Sequence, residues 1–173
     1  MAKPKRDAEF IEFASTRATW LRGVAYLLCA DWHRADDLVQ ETITKLYVHW
    51  PRLARVENMD GYARKALVNT FLSEQRSPWE RWRARWQAQE LPDAPVFAPD
   101  LDASVDLREA LAALPPRQRT AVVLRYYCDL TVEQTAEAMG CSTGNVKSQT
   151  SRGIDALSRR LLAGPATVAE GVV

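Results

Sequence analysis

No apolar run in this 173-residue chain approaches the roughly 18 to 20 positions that a membrane span needs. A basic start, Met1-Ala2-Lys3-Pro4-Lys5-Arg6-Asp7, is not followed by an apolar stretch with a cleavage site, so no secretory leader is read there. The chain is expected in the cytoplasm. Cysteine is scarce. Cys29, Cys128 and Cys141 form an odd set without CxxC spacing. That argues against a disulfide framework or a structural zinc site and for reduced, mostly buried thiols. Cys29 and His33 could share a helix face, but two ligands do not hold a structural metal. Charge of one sign is missing too: 23 Lys and Arg stand against 22 Asp and Glu, a net charge of +1. No global field announces a nucleic-acid partner.

The charges are nevertheless sorted into blocks. Asp31 to Glu41 carries four acids against Arg34, and Arg76 to Trp86 carries four arginines against Glu80. Gln87 to Asp106 has five acids and no Lys or Arg, and Ser142 to Leu162 has four basic residues against Asp155. Alternating blocks on a near-neutral chain suit several charged partners better than one.

Strand patterns are also missing. Val122-Val123-Leu124 is β-branched, but it falls within a helical period. Helical patterns fill the rest. A first helix is predicted over 8–30, with a break at Asp31-Trp32-His33. A second runs from Arg34 to Trp50, where Pro51 is expected to end it. A third spans Gly61 to Gln75, with Asp60 as its cap. Pro78 opens a further stretch in which Trp79, Trp82 and Trp86 form one stripe. Packing on the first domain explains that stripe better than stacking on single-stranded DNA does.

Pro92, Pro95 and Pro99 lie among acids and alanines. They mark 87–104 as an extended, flexible, acidic linker. The chain thus divides into a first domain at 8–86, the linker, a second domain at 105–162 and a disordered tail at 163–173. The fold class is all-α, two small helical domains. In the second domain, helices are predicted at Val105–Leu114, Pro116–Cys128, Thr131–Met139 and Thr143–Leu162.

The last two carry the chemistry. Thr131 to Arg152 has the spacing of a helix-turn-helix. Ala136 is small where the helices cross, and Gly140 suits a turn needing positive φ. Met139, Cys141 and Val146 are the apolar contacts of the crossing, and Ser142 or Thr143 caps the second helix. That helix offers Asn145, Lys147, Ser148, Gln149, Ser151 and Arg152, nearly all able to bond bases or phosphates. Thr150 sits where an apolar residue would pack better and is expected at the rim. A second cluster is Asp36, Asp37, Gln40 and Glu41 around Leu38-Val39. The helix dipole accounts for carboxylates in a first turn. No histidine or third ligand is placed by spacing, so no metal, cofactor or acid-base pair is read there.

Four motifs in order resemble the extracytoplasmic-function (ECF) group of bacterial sigma factors, and more closely its actinobacterial SigE-like branch. They are Asp31–Thr42, Tyr62–Thr70, Ala112–Arg119 and Gly144–Gly153, and the likeness covers about 8–162. The resemblance implies an alternative sigma factor, without a catalytic site, that binds core RNA polymerase and directs promoter-specific initiation. The first domain would be region 2. Its Asp36, Asp37, Leu38, Gln40 and Glu41 would dock on the clamp helices of the largest polymerase subunit. Arg64, Lys65, Asn69, Thr70 and Arg76 would melt and read the −10 element, holding an unstacked base in a loop pocket. The linker would thread through polymerase toward the RNA path.

The second domain would be region 4, reading the −35 element with Asn145, Lys147, Ser148, Gln149, Ser151 and Arg152. Arg119 and Arg125 would hold phosphate. The resemblance adds the flap of the second-largest subunit as a partner and admits a cognate anti-sigma factor. It implies a monomer when free and no membrane contact. Phe71-Leu72-Ser73-Glu74 departs from the more basic pattern of many relatives. No long C-terminal extension follows, so control by an appended domain is not expected. Two other classes remain as alternatives on the residues alone. A repressor or activator would bind an operator without polymerase, and an enzyme or sensor would need a pocket the sequence does not offer.

Overall fold

A computed structural model describes residues 3–53, 55–76 and 105–163. The tryptophan stripe, the acidic linker and nearly all of the tail lie outside the described residues. Among the described residues every regular element is helical.

Among the described residues the first domain has three helices. α1 is Lys3–Cys29, α2 is Trp32–Leu53 and α3 is Met59–Glu74. Leu21, Val24, Ala25 and Leu28 are buried on α1, Leu38 and Leu46 on α2, and Ala63, Leu67 and Phe71 on α3. The spacing of three and four puts each set on one face, and the three faces close on one core. Phe10 and Phe13 extend it by packing on Trp50 at ring distances of 5.1 and 5.3 Å.

Boundaries differ from the sequence expectation in informative ways. The break after α1 is one or two residues earlier than expected. Ala30 adopts φ 58°, and the Asp31 carboxylate accepts from the Arg34 N–H at 2.9 Å. Trp32 is thus already helical. Pro51 does not end α2 but sits in its last turn. A proline there costs one hydrogen bond, to a carbonyl four residues back. Only Arg52 and Leu53 follow it, and Leu53 is buried in the core. The cap of α3 is Asn58 rather than Asp60, its side chain accepting from Gly61 N at 2.8 Å. Asp60 lies in the first turn and pairs with Arg17 at 2.6 Å.

The second domain holds α4 (Val105–Ala112), α5 (Pro116–Val122), α6 (Val132–Met139) and α7 (Thr143–Leu162). Between α5 and α6 runs a π-helical stretch, Val123–Tyr127, where one ordinary helix was expected. Cys128 N–H reaches back five residues to Val123 O at 3.1 Å. The same segment keeps Val123 and Leu124 buried while Tyr126 and Tyr127 are exposed.

The two domains touch. α3 packs on α6, and α1 packs on α4. Their buried residues join in one apolar cluster.

Candidate nucleic-acid interface

The helix-turn-helix forms as its residues require. Thr131 accepts from Gln134 N at 3.1 Å and Gln134 returns the bond to Thr131 N at 2.9 Å, a complete capping box at α6,. Gly140 ends α6 at φ 62°, where a side chain would be strained. Cys141 N–H closes on Ala136 O at 3.0 Å. Ser142 caps α7 by accepting from Asn145 N at 3.1 Å. Ala136, Met139 and Val146 are buried at the crossing and Cys141 is half-buried. A Cβ on Gly153 would lie 2.7 Å from Val122 Cγ2, so α7 and α5 meet closely there.

With that core fixed, Asn145, Lys147, Ser148, Ser151 and Arg152 all stand exposed on α7, and Gln149 is half-buried. Thr150 is half-buried, as a rim position is.

Arg119 and Arg125 are placed differently from these. Arg119 turns inward. Its Nη1 donates to Leu28 O at 2.6 Å, and its Nη2 donates to Ala112 O at 2.7 Å and Leu114 O at 2.9 Å. Burial shifts this guanidinium down from the ordinary arginine value. Arg125 Nη1 donates to Leu130 O, closing the loop after the π-helical stretch. In this arrangement both guanidiniums are engaged by backbone carbonyls instead of facing outward with α7.

On α3, Asn69 is exposed, and so is Arg76 just beyond the helix. Arg64 lies over the Trp20 ring at 5.1 Å. Lys65 faces Glu137 of α6 at 3.6 Å. Thr70 is buried, donating to Ala66 O at 2.9 Å and accepting from Lys45 at 3.1 Å. It therefore presents no face to a ligand here. Glu74, the departure from the basic pattern, pairs with Arg34 of α2 at 3.3 Å.

The acidic face of α2 also divides. Asp37, Gln40 and Glu41 are exposed, whereas Leu38 is core. Asp36 takes the Arg22 guanidinium on both oxygens, at 2.5 and 3.2 Å. Arg22 in turn lies 4.5 Å over the Trp32 ring, which stacks on Tyr26 at 3.9 Å. Sequence patterning missed Arg22. A basic residue fourteen positions before an acid on another helix leaves no periodic trace.

Clefts lie between the domains among the described residues. One, of about 440 Å³, lies between the start of α3 and α6 and is lined by Asn58, Tyr62, Arg64, Lys65, Gln134 and Glu137 among others. Another, of about 570 Å³, brings Arg76 to Arg117 and Gln149.

A helical domain with an acidic face, followed by a second domain built on a helix-turn-helix, defines a two-part DNA-binding protein. Residues 14–83 match the family model for Sigma-70 region 2, and 104–157 match that for Sigma-70, region 4. The RNA polymerase sigma-E factor of Streptomyces avermitilis is 34% identical over 160 residues, covering 88% of this chain and 85% of that protein. The factor of the same name from Streptomyces coelicolor is 33% identical, covering 90% and 87%. Among solved structures, the sigma factor RpoE of Bartonella quintana, in complex with the anti-sigma factor NepR, aligns with a TM-score of 0.68. It is 25% identical, over 91% of this chain and 99% of that one. CnrH in complex with the cytosolic domain of CnrY aligns with a TM-score of 0.62 at 16% identity, a likeness of fold alone.

The chain belongs to the ECF sigma factors of the Sigma-70 family. Its function is that of an alternative sigma factor, directing promoter-specific transcription initiation. Members of this class are regulatory DNA-binding initiation factors.

Proposed function

We propose that this sigma factor docks on the clamp helices of core RNA polymerase through Asp37, Gln40 and Glu41, with Asp36 held beside them by Arg22. Leu38 supports that face from the core. The flap of the second-largest subunit takes the second domain. α7 enters the major groove of the −35 element with Asn145, Lys147, Ser148, Gln149, Ser151 and Arg152. Arg64, Lys65, Asn69 and Arg76 hold the −10 strand, and the cleft beside Asn58 and Tyr62 takes an unstacked base. Thr70 positions α3 through Lys45 and does not touch DNA. Arg119 and Arg125 reach phosphate only after leaving their carbonyls.

The single observation that carries this reading is the capped helix-turn-helix with five polar side chains of α7 exposed together. A helix packed all round would not spend exposed positions this way. No catalytic step is assigned, because melting is driven by binding energy for the single strand. The site of action is the cytoplasm, where polymerase works. In support, no helix among the described residues is long and apolar enough to cross a membrane. An anti-sigma factor is a further partner, as for the Bartonella relative.

Run-off transcription with core polymerase tests the reading. The wild type should initiate from one class of promoter. Asp37→Arg should abolish core binding and leave the helical circular dichroism unchanged. Specific duplex binding by the protein alone, with no initiation, would install a repressor or activator in place of the sigma factor. Unchanged core binding by Asp37→Arg would remove the docking face.

A further inference from the structure

We infer that Arg22 of α1 is a positioning residue for the docking face of α2, an inference that rests on the docking proposed above. Arg22 holds Asp36, and with it the start of α2, so that Asp37 leads toward core polymerase. Asp36 is then a support of the face and not a contact of its own.

The geometry around Arg22 is that of a clamp. Its Nε and Nη2 donate to Oδ1 and Oδ2 of Asp36 at 2.5 and 3.2 Å. A planar fork laid against a carboxylate fixes orientation as well as distance. The same guanidinium lies 4.5 Å over the Trp32 ring, whose face attracts a cation. Trp32 in turn stacks on Tyr26 at 3.9 Å, with the rings 8° apart.

These contacts also share a register. Arg22 and Tyr26 are four apart on α1, and Trp32 and Asp36 are four apart on α2, so each pair occupies one side of its helix. α1 and α2 pack together and turn at Ala30 and Asp31. An ion pair and a ring stack thus cross from one helix to the other, one helical turn apart. Two crossings fix both the rotation of α2 and its slide along α1, which a single crossing would not.

The charges of the face are unequal. Asp36 is matched by Arg22, and Glu41 by Lys45 at 2.7 Å. Asp37 is exposed, and among the described residues no cation pairs with it. It is the carboxylate left for a partner's cation, and a binding group is precise only when the residues behind it are locked. The Arg22 and Asp36 side chains, 20% and 40% exposed, stand in that supporting place.

Charge alone and positioning predict opposite signs. Arg22→Gln uncovers a second carboxylate on an acidic face, and a cationic partner would bind it more tightly if charge alone decided. Positioning predicts weaker binding, because α2 loses the fork that holds it.

The test measures the dissociation constant of whole-chain variants from core RNA polymerase, by displacement of a labelled wild-type chain. Arg22→Gln should weaken binding about 10-fold. Arg22→Lys keeps the charge but loses the fork, and should weaken it about 3-fold. In an Asp37→Asn background, Arg22→Gln should cost less than about 2-fold, since nothing is left for it to position. Arg17→Gln removes the α1 ion pair that goes to Asp60 of α3 and should leave core affinity unchanged. If Arg22→Gln loses its helical circular dichroism, Arg22→Lys decides by the same cycle.

Tighter or unchanged binding by Arg22→Gln overturns the inference. An equal loss from Arg17→Gln does so too, because any loosening of α1 would then suffice. A loss that persists undiminished in the Asp37→Asn background also overturns it. Asp37→Asn that leaves core affinity unchanged sinks the docking face itself. A full Asp37 effect with no Arg22 effect sinks the positioning alone, so the two failures are told apart.

Discussion

The two helices proposed to read DNA are built on opposite plans. α7 is a long helix with a narrow buried stripe, Val146, Gly153 and Leu157, and its polar residues stand in solvent. α3 is packed on more sides. Ala63, Leu67, Val68, Thr70, Phe71 and Leu72 are buried, and Arg64 and Lys65 are engaged by Trp20 and Glu137. A helix that reads duplex DNA needs one exposed face that fits a groove. The helix proposed to hold a melted strand is anchored by its core.

Phe71 offers the largest test of this contrast. It is 1% exposed and lies behind the α3 face. Phe71→Ala should cost about 3–5 kcal/mol, read as a lower urea midpoint. Since α3 also carries α6, the loss should appear in both domains as one transition. Two separate transitions, with the second unshifted, would show that the domains are energetically independent and would break the comparison.

Substitutions on the two readers should have smaller, separable effects. Arg152→Ala should weaken use of −35-dependent promoters by about 1–3 kcal/mol in the holoenzyme and leave melting temperature unchanged. Lys65→Ala should weaken −10 strand binding and leave affinity for a −35 duplex intact. Promoters that vary only in one element would separate them. Equal losses on both promoter sets would mean that the helices do not divide the work.

Much of this was legible in the residues, for reasons that can be stated. The helix-turn-helix is local. Thr131, Gly140 and Ser142 act on backbone within five positions, so their types report their roles directly. The core stripes were legible because burial repeats with the helix. What escaped was non-local. The resemblance makes Arg119 a phosphate contact, and only the approach of α1 shows its carbonyl partners. It groups Thr70 with its exposed neighbour Asn69, although one residue of helix turns Thr70 into the core. It includes Leu38 in the docking stretch, where the structure buries it. Pro51 is a weak stop, because the final turn has little left to lose,. The π-helical stretch leaves no compositional mark among β-branched and aromatic residues.

The smallest effect concerns the seam between the domains. Cys29 follows the Leu28 carbonyl that Arg119 holds, and burial pushes its thiol up to about 12. Nearby Arg34 and Arg119 pull the other way without cancelling that. Cys128 is pushed up to about 11, again by burial, against the pull of Arg64. The unfolded chain releases such protons near pH ~8.5. Below that pH both states hold the proton and the full contribution to stability is present. Above it the unfolded state is favoured by proton release, and the contribution is lost as pH rises toward the folded values. Each thiol should add a slope of about 1.4 kcal/mol per pH unit between pH ~9 and ~10. Cys29→Ala should remove one such slope from urea midpoints measured across that range. In Glu137→Lys, which sets two lysines against each other across the contact between the domains, the slope should shrink without any cysteine being replaced. A slope unchanged by that variant would mean that Cys29 and Cys128 are buried within their own domains, and that the contact between the domains does not shield them.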